Sequence, residues 1–240
     1  MIHRLRLGVD NNIGKSSFSA LHATIVCIVG LLIGCVNAPI PIELSCTLPL
    51  DPKVANSCVV SEQTLWRGAR PTPEAAAALV ELGVKTVVSL ELLQDDRNAF
   101  EAAMIGSRDT SEIQYFQIRD WEPLVVLAPG KVDDHVAHFL AIARTQPKPL
   151  FVHCRTGQNR TGIMVAAYKV FNGADIEETI LEMEKYGGLW SKLDADYIRT
   201  LTLQRRRAIE ERITDLMPSV KRSAKIVCSG GRCVFNPGTL

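Results

Sequence analysis

The sequence predicts an α/β fold with a central, mostly parallel sheet flanked by helices. Short β-branched runs, above all Val84 to Leu90 and Leu150-Phe151-Val152, alternate with stretches whose apolar residues recur at helical spacing. Strands that alternate with helices pair in parallel, because a helical crossover returns the chain to the same strand direction. A polar loop, His153 to Gly162, lies between the buried strand 150–152 and an apolar helix. Folds of this class bind ligands there, at the C-terminal ends of strands.

The elements follow in order. Leu65-Trp66-Arg67 is a short strand. Pro71 and Thr72 open a helix that runs to Leu82 and stops at Gly83, with Thr72 as cap and Pro73 and Glu74 in the first turn. Strand 84–90 is followed by a helix with a charged face from Glu91 to Met104, then strand Ile113–Ile118 and a loop from Asp120 to Gly130. Lys131 to Thr145 is helical, with Val132, Val136, Phe139, Leu140 and Ala143 on one face. After strand 150–152 come helices Ile163–Phe171 and Ile176–Tyr186 and a single long helix from Ala195 to Leu216. One domain over 61–217 is expected, between a proline-rich lead-in, 35–60, and a C-terminal tail, 218–240.

Of 240 residues, 47% are hydrophobic and 6% aromatic, which suits an ordinary globular core. A net charge of +1 argues against a dedicated nucleic-acid binder. The N-terminus has its own logic. Arg4, Arg6 and Lys15 precede the apolar run Ala23 to Gly34. As a helix this run would span roughly 18 Å, short of a ~30 Å hydrocarbon core, so 1–34 reads as an export signal rather than a membrane span. Leu32-Ile33-Gly34-Cys35 resembles the lipobox of bacterial lipoproteins. That resemblance implies a lipidated Cys35 as the first mature residue, and an exported cell-envelope protein, periplasmic and held to a membrane by its lipid.

There are seven cysteines. With Cys27 removed by cleavage, Cys35 lipidated and Cys154 in the polar loop, four remain as two local pairs, Cys46 with Cys58 and Cys228 with Cys233. In an oxidising compartment these are expected as disulfides. The second pair flanks Ser229-Gly230-Gly231-Arg232 between two β-prone runs, the pattern of a hairpin. Its C-x4-C spacing also permits a zinc site, the alternative reading.

Between Cys154 and Arg160 stand Arg155, Thr156, Gly157, Gln158 and Asn159. Backbone N–H groups of so tight a loop converge on the oxygens of a phosphoryl dianion, and the following helix adds the positive end of its dipole. Gly157 lets the loop curl. Arg160 grips two oxygens with its planar fork, and the positive setting favours a nucleophilic thiolate. Thr161 is positioned to donate its hydroxyl to the sulfur.

His153, Cys154, Gly157, Arg160, Thr161 and Gly162 resemble the H-C-x5-R-[S/T] signature of the protein-tyrosine and dual-specificity phosphatase superfamily. Leu65 to Pro73 and Leu82 to Leu90 resemble segments of its bacterial, Siw14-like atypical members; the likeness covers about 62–203. It implies a cysteine-dependent phosphatase fold, with Cys154 as nucleophile, residues 155–160 around the phosphate and His153 orienting the loop by hydrogen bonding. It also implies a general acid on a loop about thirty residues before the cysteine. Asp120 answers that spacing, with Glu122 as the nearest substitute. Asp133 and Asp134 read as favourable helix-start acids, Trp121 as loop packing or a cover for a substrate ring, and Gln204 to Arg207 as a solvated helix face paired with Glu210 and Glu211. No cofactor or metal is implied.

The expected activity is phosphomonoester hydrolysis through a cysteinyl-phosphate, on phosphotyrosine or dual-specificity protein substrates. The alternatives are an exported, phytase-like inositol-polyphosphate phosphatase and an inactive phosphate-binding module. A rhodanese-like sulfur carrier would lack the Arg-Thr-Gly ending.

Overall fold

Burial along the central strands alternates between two faces, as a period of two requires. In the computed structural model Val88, Val152 and Phe116 point into one apolar cluster, while Val87, Phe151 and Tyr115 point into the other. The structure describes residues 49–61, 64–106, 112–220, 223–229 and 232–238, all within one unit, Glu43–Leu240. The expected signal 1–34, the lipidation site Cys35, and Cys46 lie outside the described residues.

Among the described residues the sheet has seven strands in the order β1-β2-β5-β3-β4-β6-β7. β2 (Leu65–Ala69), β5 (Leu150–Cys154), β3 (Thr86–Ser89) and β4 (Ile113–Gln117) are parallel and form its centre. β1 (Cys58–Ser61) closes one edge antiparallel to β2. β6 (Ser223–Ser229) and β7 (Arg232–Gly238) close the other, with β6 antiparallel to β4. One face is covered by α1 (Pro73–Glu81) and α2 (Arg97–Gly106). The other carries α3 (Leu124–Leu127), α4 (Pro129–Thr145), α5 (Asn159–Phe171), α6 (Ile176–Glu184), α7 (Ser191–Arg199) and α8 (Leu203–Val220).

Thr72 caps α1 by accepting from the Ala75 N–H, and Gly83, at φ +86°, turns the chain after it. Three regions differ from expectation. The helix expected from Glu91 begins only at Arg97. The Asp95 carboxylate accepts the Arg97 N–H at 3.1 Å and the Asp96 side chain is drawn inward to Tyr115, so local polar bonds replace the first helical turns. The single helix expected over 195–216 is two, because Thr202 accepts the Arg205 N–H and starts α8 afresh. The loop 120–130 holds the one-turn α3 and the first residues of α4.

The expected limits of the domain also fall inside the packed unit. From the lead-in, Val54 is buried and the Ala69 N–H donates to the Ala55 carbonyl at 2.8 Å. From the tail, β6 extends the sheet itself and Ile226 is fully buried. Cys228 and Cys233 face each other across the hairpin and are disulfide-bonded. Cys58 is disulfide-bonded as well.

The region expected as a solvated face is partly engaged. Arg205 pairs with Asp133 at 3.0 Å and lies over the Tyr197 ring. Asp133 is buried and accepts the Tyr197 hydroxyl at 2.9 Å, so it pins α4 to α7 and α8 and is not merely a helix-start acid. Glu210 is taken by Arg144 through two bonds, at 2.6 and 2.7 Å, and not by the arginine run.

Phe139 sits fully buried on α4. Phe139→Ala is expected to lower unfolding free energy by about 3–5 kcal/mol in urea denaturation; a loss under ~1 kcal/mol would contradict this packing.

Candidate active site

Cys154 ends β5 and is 1% exposed. Its strand is paired on one side with β2, which sets Ala69 opposite Cys154, and on the other with β3, which sets Ser89 opposite His153. Among the described residues it is the free cysteine.

The loop after it is shaped from outside. The carbonyl of Arg155 accepts the Arg70 N–H at 3.4 Å, that of Thr156 accepts Asn56 Nδ2 at 2.8 Å, and that of Gly157 accepts Arg67 Nη2 at 2.6 Å. In a trans peptide the N–H points opposite to the carbonyl it shares a plane with. Three consecutive carbonyls tied outward therefore turn the N–H groups of Thr156, Gly157 and Gln158 inward. Gly157 is required twice over. It has φ +73°, and a Cβ there would stand 2.5 Å from the Gly68 carbonyl carbon.

Arg67 is fully buried and lies 3.5 Å above the Tyr186 ring centroid. Burial lowers its pKa, against the opposing influence of Tyr186, Cys154 and Glu182. The other loop side chains turn to the scaffold. Gln158 donates to the Tyr186 carbonyl at 2.6 Å, and Asn159 donates to Asp194 at 2.7 Å. Both are expected to line a bound phosphate; their side-chain amides are spent on the chain just after α6 and on α7, so what they offer a phosphate is their backbone N–H groups. Arg155 is exposed.

Arg160 is buried on the first turn of α5. Its Nη1 donates to the carbonyls of Leu90 at 2.6 Å and Asp120 at 3.2 Å, and its Nε to Glu122 at 2.8 Å. Burial works against its charge, but Cys154, Glu122, Glu91 and Asp120 outweigh that and raise its pKa. Thr161 is fully buried and its hydroxyl makes no hydrogen bond among the described residues. The expected bond to the sulfur is thus not formed, and among the described residues no other group competes for the hydroxyl.

Asp120 is 2% exposed and lies in the same crevice as Trp121, Glu122, Arg160 and Asp194. Its Oδ1 accepts the Trp121 N–H at 2.8 Å and stands 3.0 Å from His135 Nδ1. Glu122 is the carboxylate paired with Arg160, which separates the two candidates by partner. Trp121 is 47% exposed at the crevice rim, not packed away.

Sequence reasoning missed several members. His153 Nε2 lies 3.0 Å from Asp96 Oδ2, within ion-pair reach though off the line of a hydrogen bond. Asp96 also accepts the Tyr115 hydroxyl. Burial pushes the Asp96 carboxyl up, but the charge and contact of His153 and the Tyr115 bond bring it below its ordinary value. Asp96, Asp194 and His135 carry no motif spacing, and Arg67, though inside the family-like segment Leu65 to Pro73, has no role implied there. The only signal in the sequence is a charged residue inside an apolar strand, as at Arg67. Among the described residues no group of His, Cys, Asp and Glu could hold a metal ion.

A thiol closing a parallel strand, with inward amides and an arginine one turn later, is the architecture of the cysteine-dependent phosphatases, and comparison with known proteins agrees. Residues 52–200 match the family described as DSP-PTPase phosphatase fused to NAD+ Kinase. The chain belongs to that family. It is 32% identical over 130 residues to the dual specificity protein phosphatase TpbA of Pseudomonas aeruginosa strain UCBPP-PA14, covering 52% of this chain and 51% of that protein. It is 28% identical over 122 residues to the chloroplastic NAD kinase 2 of Arabidopsis thaliana, covering 50% of this chain and 12% of that protein. The chain thus spans about half the length of the TpbA proteins it matches. The crystal structure of P. aeruginosa TpbA shares the fold at a TM-score of 0.52 and 24% identity, over 71% of this chain and 95% of that one. So does the core catalytic domain of the PP-IP phosphatase SIW14 from S. cerevisiae, at 0.52 and 16%, over 72% and 98%.

Burial, reinforced by Glu122 and Asp120 and opposed by the Asn159 bond, pushes the Asp194 carboxyl up to about 7. An unfolded Asp loses its proton near pH ~3.9. Between about pH 4 and 7 the folded chain therefore holds a proton that the unfolded chain has released, and stability falls as pH rises through that window. Asp194→Asn is expected to flatten the fall in thermal melts from pH 4 to 8; an unchanged slope would show that Asp194 does not hold that proton.

Proposed function

We propose that this protein hydrolyses phosphate monoesters through a cysteinyl-phosphate. The observation that carries the reading is the set of three outward-tied carbonyls, which leaves inward N–H groups around Cys154 with Arg160 beside them. The sulfur forms a bond to phosphorus as the bond to the leaving oxygen breaks, and Asp120 gives that oxygen its proton. Asp120, now a carboxylate, takes a proton from water, whose oxygen attacks phosphorus and releases phosphate and the thiolate.

The substrate we propose is a phosphorylated protein, with phosphotyrosine first. The acidic side chains of Asp120, Glu122 and Asp194 line the crevice and offer a polyanion no cation besides Arg160, and half-exposed Trp121 offers a face to an aromatic ring. The TpbA relatives are themselves named dual specificity protein phosphatases. We further propose export, anchoring through a lipid on Cys35, and a disulfide-permitting envelope compartment. The charged start, short apolar run and Leu-Ile-Gly-Cys motif support this, as does the even set of cysteines outside the site.

Cys154→Ser is expected to lose turnover of a phosphotyrosine peptide while still binding vanadate; near-wild-type turnover would refute the nucleophile. The wild type should prefer that peptide to inositol hexakisphosphate by at least ~10-fold in kcat/KM, as a carboxylate-rimmed mouth requires. The reverse preference would overturn the substrate while leaving the chemistry. In the native host, labelled palmitate should appear on the protein and vanish in Cys35→Ala; its absence from the wild type would refute the anchor.

A further inference from the structure

Asp120 is held by one of its two oxygens. Oδ1 receives the Trp121 N–H at 2.8 Å and faces His135 Nδ1 at 3.0 Å. Among the described residues no hydrogen bond reaches Oδ2. With Nδ1 of His135 protonated, both contacts donate to Oδ1, and a carboxyl group with two donors on one oxygen carries its proton on the other, here Oδ2. Trp121 follows Asp120 in the chain and its N–H comes with any local turn. His135 comes from α4 and is the side chain that fixes the orientation from outside the loop. It is 20% exposed and Asp120 3%, so the contact is largely shielded from water.

We infer that His135 is a positioning residue for the Asp120 proton transfer, resting on the phosphatase reading above. Its Nδ1–H orients the carboxyl group for donation and stabilises the carboxylate that must activate water in the second step. The other groups around Asp120 do not compete for this role. Arg160 bonds its carbonyl, not its carboxylate, and Glu122 is occupied by Arg160. Asp194 and Tyr197 on α7 feel its charge, but Asp194 bonds Asn159 and Tyr197 bonds Asp133. On its outer side His135 shares a groove with Asp134 and His138 of α4 and Arg212 and Asp215 of α8, where Arg212 is paired with Asp134 at 2.7 Å.

Three variants separate orientation from packing. In His135→Leu the donor is gone. In His135→Gln the polarity remains but the donor moves to the Nε2 position. In His135→Asn an amide N–H stands where Nδ1–H stood. We expect Leu and Gln to lower kcat on phenyl phosphate by about 5- to 50-fold, a part of the ~10²–10⁴ that a full general acid contributes. On 4-nitrophenyl phosphate, whose leaving group needs little protonation, the loss should be under about 3-fold. The basic limb of the kcat profile should move to higher pH, because the carboxylate has lost a donor. Asn should restore the limb and most of the rate.

Equal losses on both esters with an unmoved limb would make His135 a packing residue and overturn the proposal, as would Gln behaving like Asn. Asp120→Asn serves as the reference. If it abolishes the basic limb and His135→Gln does not shift it, the proposal falls alone. If the limb survives in Asp120→Asn, the assignment of Asp120 falls and this proposal with it.

Discussion

A buried guanidinium, that of Arg67, holds the phosphate loop in its working shape. The β2–β5 register sets Arg67 opposite Val152, two residues before Cys154, and from there its Nη2 reaches the Gly157 carbonyl at 2.6 Å. Pulling that carbonyl outward rotates the whole peptide plane and sends the next N–H inward. A full charge in so dry a place is unfavourable unless something answers it. The Tyr186 ring and the carbonyl answer part. The Cys154 side chain, which favours the charged form of Arg67, answers another part. The cation that shapes the loop thus also stands behind the nucleophile, and the two requirements are met by one residue on one strand.

Arg160 joins the remaining parts in the same manner. Its donors reach the end of β3 through Leu90, the loop after β4 through the Asp120 carbonyl, and Glu122 beside it. The acid loop and the phosphate loop are therefore not independent pieces. A shift of the Asp120–Glu122 segment would unsettle the guanidinium, and an anion that draws Nε away from Glu122 would free that segment. The Asp96–His153 pair fixes the floor beneath them, with Tyr115 of β4 tying Asp96 to the sheet.

What the sequence makes legible is what depends on neighbours in the chain. The β-branched runs, the cap at Thr72 and the Cys154–Arg160 loop each carry their cause within a few residues. The helix break at Thr200 to Thr202 has a local cause too, the Thr202 cap, but lies hidden in a continuous polar-apolar pattern. Long-range partners leave no such trace. Asn56 reaches Thr156 across 100 residues, and a proline-rich segment gives no hint that it braces the loop. Asp96 looks like any acid on a charged helix face, and becomes part of the site only because α2 starts late and β4 brings Tyr115 alongside. The hairpin was readable as a hairpin. That it continues the sheet was not, because pairing with β4 depends on where α8 ends.

Charge around the loop limits what can enter it. Arg160 faces Glu122, Glu91 and Asp120, and Asp194 lines the same crevice, so acidic groups outnumber the cation there. Asp194 relieves part of this by holding a proton up to about pH 7, and Glu122 relieves more by pairing with Arg160. A single dianion placed on the loop amides gains from Arg160 and the helix dipole at short range. Further phosphates on the same molecule would have to lie toward the crevice, whose acidic lining offers them no cation besides Arg160. The substrate proposed above, one phosphate on an otherwise uncharged or aromatic group, is the guest that suits this arrangement. The exposed indole of Trp121, on the rim that carries Asp120, would give such a group a surface to rest against while Asp120 faced its oxygen.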